Sequence, residues 1–394
     1  MEEVVILGVG MVPWGKYETK SVPELNATVS EQALKNAGVT MKDVGMVVGG
    51  SDPWTGIDGM LAGSRMAARV GNTGVPVINV YNACATGGYA LKTAQSYINS
   101  GFCDIVLVSA ASISPSGFFG ATSKGSEFAP DDLDFQRFRV AGLTNPTGFA
   151  FQATERMHKY GTTEHDMALV KVKNSQFGAL NPMARYKKEY TIDEVLASPM
   201  VSFPLRLLEV CATSDGAAAL VLASKKAAKK YTNQPVNLAG VGIATYLYGE
   251  GGDVLDIASN TRTPGIKKLR ELCADNVYKA TGIGPKDLDF AEVYDLHSAF
   301  ELNWYEDIQL CKPGEAEKLL RNGDTSLGGR IPVNTSGGCA SMGEAIPAQA
   351  LAQACELFWQ VKGEAGARQV PGAKVGFAVN AGKQGNCSGF VIKK

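Results

Sequence analysis

Apolar residues follow two rhythms along this chain. Short continuous apolar runs alternate with stretches in which apolar positions return every three or four residues, a pattern of buried strands and the helices packed on them. Residues 75–80 form one such run. Small residues follow it, then Ala90, Ala94, Tyr97 and Ile98 recur at helical spacing, and residues 104–110 read as the next strand. The succession returns late in the chain: residues 331–338 run into a glycine turn, a helix follows from 347 to 361, and a strand covers 374–380. Strands alternating with helices predict an α/β fold with mainly parallel sheets covered on both faces.

Two segments repeat each other in the same order. Ile6-Leu-Gly-Val-Gly-Met resembles Leu238-Ala-Gly-Val-Gly-Ile, and Lys35-Asn-Ala-Gly-Val-Thr-Met-Lys-Asp-Val resembles Lys279-Ala-Thr-Gly-Ile-Gly-Pro-Lys-Asp-Leu. In both copies of the second pair a helix ends at a glycine before a turn into a strand. The repeat predicts two related halves, residues 1–235 and 236–394. Between about 112 and 204 the alternation breaks down and charged and aromatic residues accumulate, which predicts an inserted, mainly helical loop domain covering a substrate. Gly8-Val-Gly10 suggests a dinucleotide loop, but Pro13 interrupts the helix such a loop must open and the third glycine is misplaced.

Composition narrows the function. The 394 residues are 45% hydrophobic and 20% charged, with a formal net charge of −1. That balance argues against nucleic acid, whose phosphates need a basic excess. No apolar stretch reaches the roughly 18 residues of a membrane span. The start is acidic with an apolar run too short for a signal peptide, and the end is no peroxisomal address. Eight scattered cysteines without a CxxC pair predict reduced thiols in the cytoplasm and no metal site.

Cys84 carries the candidate chemistry. It sits at a sharp strand-to-helix turn, where the partial positive charge of a first helical turn favours a thiolate; the plain alternative is an inert core thiol. Asn82-Ala-Cys84-Ala-Thr-Gly-Gly resembles the nucleophile turn of the thiolase superfamily, in particular its sterol-carrier-protein-type members. Further matches are Lys159-Tyr-Gly-Thr, Asn181-Pro, Asp193-Glu-Val-Leu-Ala-Ser, Cys211-Ala-Thr-Ser-Asp-Gly, Glu292-Val, Ser336-Gly-Gly and the run from Gly363 to Val375. They span nearly the whole chain.

The resemblance implies a five-layered α/β/α/β/α fold of two duplicated halves, no permanently bound cofactor, and coenzyme A as co-substrate beside an acyl-CoA. It also implies a homodimeric core with a small zinc-ribbon/OB-fold partner subunit. The implied reaction is thiolytic cleavage of a β-ketoacyl-CoA through an acyl-Cys84 intermediate. One branch of the family cleaves 2-benzoylsuccinyl-CoA to benzoyl-CoA and succinyl-CoA.

Three positions depart from the family pattern. Glu344 stands where most members carry the His of Gly-His-Pro. Ionised, it is a base toward Cys84 or the CoA thiol; only when protonated does it donate to an oxyanion; the plain reading is a helix-start glutamate. Tyr294 takes the place of the His in Glu-Val-His-Asp, while a register shifted by three puts His297 there. Cys387-Ser-Gly fits the second-cysteine turn, yet distance from the chain end points nearer Lys383, so Cys387 either folds into the site or packs at the last strand. Asn334, Ser336, Gly337, Gly338 and Gly385 are the candidate substrate and oxyanion loops. Arg185, Lys187 and Lys188 are phosphate contacts or a solvated face. The other cysteines read as structural. The altered acid–base set leaves two alternatives, a thiolase-like retro-aldolase and a non-catalytic acyl-CoA-binding subunit.

Overall fold

A computed structural model of the protein describes residues 3–114, 145–248, 265–382 and 385–394. Eleven strands are assigned: β1 (Val4–Met11), β2 (Met46–Gly50), β3 (Val77–Val80), β4 (Ile105–Ser112), β5 (Met200–Ser202), β6 (Leu205–Arg206), β7 (Gly216–Ser224), β8 (Val236–Ala244), β9 (Phe290–Val293), β10 (Val375–Gly382) and β11 (Asn386–Lys393). The helices that frame them are α1 (Val22–Ala37), α2 (Ala62–Val70), α3 (Thr86–Asn99), α4 (Asn145–Tyr160), α5 (Glu164–Leu180), α6 (Leu269–Thr281), α7 (Ser298–Asp307), the short α8 (Gly338–Ser341) and α9 (Gln349–Lys362).

Nine strands form one sheet in the order β3-β2-β4-β7-β1-β8-β11-β10-β9, and β5–β6 make a separate hairpin. The order is mirrored about its middle. On one side β1 is followed outward by β7, β4, β2 and β3; on the other, β8 is followed by β11, β10 and β9, with Val333 pairing parallel to Ala291 at the far edge. The halves join where β1 runs antiparallel to β8 through Val4–Leu238, Val5–Asn237 and Ile6–Val236.

Among the described strands, the parallel pairs are β2–β3, β2–β4 and β9–β10. The mainly parallel sheets expected from the alternation are therefore a mixed sheet. β10 turns tightly into β11, and so short a connection permits only antiparallel pairing; β7 likewise enters antiparallel to both β4 and β1.

Both faces of the sheet are buried, which is why the strands read as continuous apolar runs. Val106, Val108 and Ala110 of β4 face a central layer made by α3 and α9, whose Ala90, Leu91, Leu351 and Leu357 also meet Phe390 and Ile392 of β11. Ile105 and Leu107 face outward to Leu25 and Val29 of α1 and Met66 of α2. In the second half Phe377, Val379 and Val391 face Val277 of α6 and Phe300 of α7. The result is five layers, α/β/α/β/α.

The repeated Gly-Val-Gly serves packing. A Cβ on Gly10 would lie 2.2 Å from the Val29 carbonyl oxygen, and one on Gly242 would lie 2.7 Å from the Val277 nitrogen. Only glycine lets each strand lie this close to its covering helix. Both helices end at left-handed glycines, Gly38 (φ 66°) and Gly282 (φ 68°).

Candidate active site

Cys84 lies in the turn between β3 and α3, beside the N-terminal end of a fourteen-residue helix. The turn is tightly held. Ala83 takes a left-handed φ of 50°, a conformation costing a non-glycine residue about 1 kcal/mol. The Asn82 amide donates to Thr86 Oγ1 at 2.9 Å, and that hydroxyl donates to the Ala83 carbonyl at 2.6 Å. Strand β11 supports the turn from below: Asn82 Nδ2 donates to Asn386 Oδ1, and Ser388 Oγ donates to the Ala85 carbonyl. Gly382 closes the floor, since a Cβ there would lie 2.7 Å from the Asn82 oxygen and 3.0 Å from the Cys84 nitrogen. Cys84 itself is half-buried.

Tyr294 follows the end of β9, and Glu344 follows α8. Both are buried, and the Tyr294 hydroxyl donates to Glu344 Oε1. Burial raises the Tyr294 phenol well above its ordinary range; the charges of Cys84 and Glu344, then of Cys339 and Cys211, push it further. Tyr294 thus stays a phenol, a donor between the candidate nucleophile and a carboxylate. Cys84 packs against the apolar cluster that contains Phe149, Leu205, Cys211, Tyr294 and Cys339. Cys211 and Cys339 were expected to be structural. Both had a usable signal: Cys339 directly follows Gly337-Gly338, and Cys211 opens the matched run Cys211-Ala-Thr-Ser-Asp-Gly.

His297 does not belong to this acid–base set. Its ring is stacked between Phe149 and Phe300 at centroid distances of 5.2 and 5.5 Å, and Nε2 pairs with Gln152 Oε1 at 3.0 Å. Because that oxygen only accepts, Nε2 is the protonated nitrogen. Burial first, and the Arg270 charge second, push its pKa down to about 3, so the imidazole is neutral. Tyr294, not His297, is the residue paired with Glu344.

Cys387 is excluded by strand alternation. Its neighbours Asn386 and Ser388 point to the nucleophile turn, so Cys387 points to the opposite face. There it joins Cys273 and Val277 in the outer layer, where the Cys273 thiol donates to the Gly242 carbonyl. Lys383, the alternative position for a second site residue, lies outside the described residues. Gly385 is a turn glycine (φ 71°) packed on the Tyr246 ring.

The 334–338 loop has most of its polar groups committed within the protein. Asn334 donates through its backbone to Ala291 and through Nδ2 to Glu301, while its Oδ1 accepts from the Val293 amide. The Ser336 amide and hydroxyl both donate to Glu292. The Gly337 amide donates to the Asn334 carbonyl, and that of Gly338 to Ser336 Oγ. Gly338 is required because a Cβ would strike Asp295. The loop is a brace for α8. Lys171 completes it, donating from a buried ammonium to the Ala340 carbonyl at 2.7 Å and to Ser341 Oγ at 3.0 Å. Arg185 is another brace, donating to the Thr213 carbonyl and Ser214 Oγ, whereas Lys188 forms an exposed pair with Glu194.

Comparison with known proteins gives the family. The N-terminal domain of thiolase matches residues 4–226, and the thiolase C-terminal domain-like family matches residues 249–394. The chain belongs to the thiolase family. Within it, this thiolase is of the sterol-carrier-protein type: it is 34% identical over 395 residues to human sterol carrier protein 2, covering 97% of this chain and 70% of that protein. It is 32% identical over 400 residues to the acetyl-CoA acetyltransferase of Methanothermobacter thermautotrophicus, covering 100% and 99% of the two chains. It is 31% identical over 375 residues to the benzoylsuccinyl-CoA thiolase subunit BbsB of Thauera aromatica, covering 95% and 91%. In fold it resembles the Ltp2-ChsH2(DUF35) aldolase (TM-score 0.82, 22% identity, 99% and 97% covered). It also resembles human mitochondrial 3-ketoacyl-CoA thiolase (TM-score 0.74, 15% identity, 100% and 99% covered). The chemistry of this thiolase is of the thiolase type, on acyl-CoA. Among the described residues no helix is long and apolar enough to cross a membrane.

Proposed function

We propose that this thiolase cleaves a β-ketoacyl-CoA with free CoA through an acyl-Cys84 intermediate, with Glu344 as the acid–base group and Tyr294 as its hydrogen-bond donor. The observation that carries the reading is the buried Tyr294–Glu344 pair beside a helix-terminal cysteine. Glu344 as carboxylate takes the Cys84 proton, and the sulfur attacks the β-keto carbon. The carbon–carbon bond breaks, and the leaving carbanion takes the proton from Glu344. The carboxylate then accepts the proton of the CoA thiol, whose sulfur displaces the acyl group from Cys84; the proton returns to Cys84. Each step returns Glu344 to its starting form over the cycle.

The likeness to a benzoylsuccinyl-CoA thiolase subunit supports 2-benzoylsuccinyl-CoA as substrate, and Phe149, packed in the Cys84 cluster, supplies an aromatic wall for a bulky acyl group. We propose CoA as co-substrate and no permanently bound cofactor. That relative is described as a subunit, which supports a small partner protein, here proposed to be of zinc-ribbon/OB-fold type. A homodimer is proposed through β3, an edge strand only half-buried in the monomer and flanked by exposed Trp54, Ile57 and Tyr81.

The test is mass spectrometry after incubation with 2-benzoylsuccinyl-CoA or acetoacetyl-CoA and no free CoA. An acyl adduct on Cys84, absent in Cys84→Ala together with turnover, supports the reading. The second reading, a retro-aldolase, is favoured by the Tyr294 phenol and needs no acyl-enzyme. Full cleavage by Cys84→Ala would establish it in place of thiolysis. Absence of both adduct and cleavage would leave a non-catalytic acyl-CoA-binding subunit.

A further inference from the structure

We propose that Asp295 and Lys171 are a pair of positioning residues: they hold α8 from opposite ends and so set Glu344 against Tyr294. The inference rests on the reading of Glu344 as the acid–base group and adds to it two buried charges that no step of the reaction uses.

Most of what holds the 339–344 segment is backbone. The Cys339 carbonyl accepts from the Ala212 amide at 3.0 Å, that of Ser341 from Tyr186 at 3.0 Å and that of Met342 from Arg185 at 3.0 Å. The Glu344 amide donates to the Ala212 carbonyl at 2.9 Å, and its carbonyl accepts from the Ser214 amide at 2.8 Å. Residues 210–214 thereby form a splint, tied on the Tyr294 side by the pairing of Val210 with His297 and by the Cys211 amide, which donates to the Leu296 carbonyl at 2.9 Å. Two charged side chains supply the rest. Asp295, next to Tyr294 in the chain, accepts the Cys339 amide on Oδ1 at 2.7 Å and Asn174 Nδ2 on Oδ2 at 3.1 Å. Lys171 of α5 donates to the Ala340 carbonyl at 2.7 Å and to Ser341 Oγ at 3.0 Å. The carboxylate takes an amide at the start of α8, and the ammonium takes a carbonyl near its end.

The two charges depend on each other. Both side chains are buried. Burial first, and the Glu301 charge second, raise the Asp295 carboxyl, while N–H donors on both of its oxygens favour the anion. Burial lowers Lys171 to about 8, and the Asp295 charge works against that fall. Lys173, the other buried lysine of α5, is already paired with Glu301 at 2.5 Å. Neutralising Asp295 or Lys171 alone therefore leaves a buried charge without its counterpart, a worse state than losing both. Glu344 follows α8 by three residues, so a shift of that short helix carries the carboxylate away from Tyr294.

The experiment compares wild type, Asp295→Asn, Lys171→Met and the double variant, each with and without Glu344→Gln. One readout is hydrogen–deuterium exchange of the peptide spanning residues 338–344, which needs no substrate. The other is acylation of Cys84 by acetoacetyl-CoA. Each single variant is expected to speed exchange of that peptide about tenfold while β1 and β7 exchange as in wild type. It is also expected to lower the maximal acylation rate about tenfold at an unchanged KM. The double variant is expected to lose no more than the worse single one. With Glu344→Gln in place the same substitutions are expected to add no further loss, because they act through that carboxylate. Wild-type exchange in both single variants overturns the proposal. So do losses that add up in the double variant, or that persist in full once Glu344→Gln has lowered the rate. Wild-type acylation by Glu344→Gln, alongside faster exchange in the other variants, supports the hold on α8 and overturns the acid–base reading instead.

Discussion

His297 ties stability to acidity through a group that does no chemistry. Its folded pKa of about 3 lies below the ordinary 6.5. Between those values the unfolded chain binds the proton and the folded chain does not, so acid favours unfolding. Wild type therefore loses up to about 1.4 kcal/mol per pH unit from this site as the pH falls from 6.5 toward 3. Asp52 and Glu292, both raised to about 7 chiefly by burial, act with the opposite sign, so the total slope hides the effect. The difference between variants isolates it. In urea unfolding, His297→Phe, which keeps the stack with Phe149 and Phe300, is expected to gain on wild type by up to about 2 kcal/mol between pH 6.5 and 5. A pH-independent difference would mean that His297 titrates normally.

At the scale of elements, the nucleophile turn was legible because it is local. Strand, left-handed turn and helix follow one another in sequence, and each leaves its own signature around Cys84. The Tyr294–Glu344 pair was only half legible. Tyr294 and Glu344 are fifty residues apart, and what joins them is a third segment, 210–214, whose backbone pairing no local pattern encodes. Cys387 stayed open between the site and the last strand for the same reason, since which face a β11 residue occupies depends on register against β10 and β8. Register also makes Gly382 critical. Gly382→Ala is expected to leave thermal unfolding within a few degrees of wild type while displacing the turn. The acylation rate of Cys84 should then fall about a hundredfold, the size of effect that an ångström of misplacement produces. Acylation at the wild-type rate would show that the turn does not rest on Gly382.

For the whole molecule, the duplicated halves were readable from Gly-Val-Gly and the paired helix-ending glycines, but the single sheet was not, because β1–β8 pairing is long-range. One continuous sheet leaves β3 and β9 as its ends. Ile78 in the half-buried end strand β3 packs on the core, whereas Tyr81 just beyond it is exposed, and Tyr81→Lys puts a charge beside an edge otherwise open to pairing. If β3 is the dimer contact, this variant is expected to elute as a monomer where wild type elutes as a dimer; an unchanged elution volume would place the contact elsewhere. The middle of the molecule carries the other consequence. Helix α3 comes from the first half and α9 from the second, yet both pack into one core that includes strands of each. Neither half alone encloses this central layer. A chain cut between β7 and β8 would yield two fragments that each present a large apolar face until they meet. The two halves are thus bound to a shared fate: each serves as the surface on which the other completes its fold.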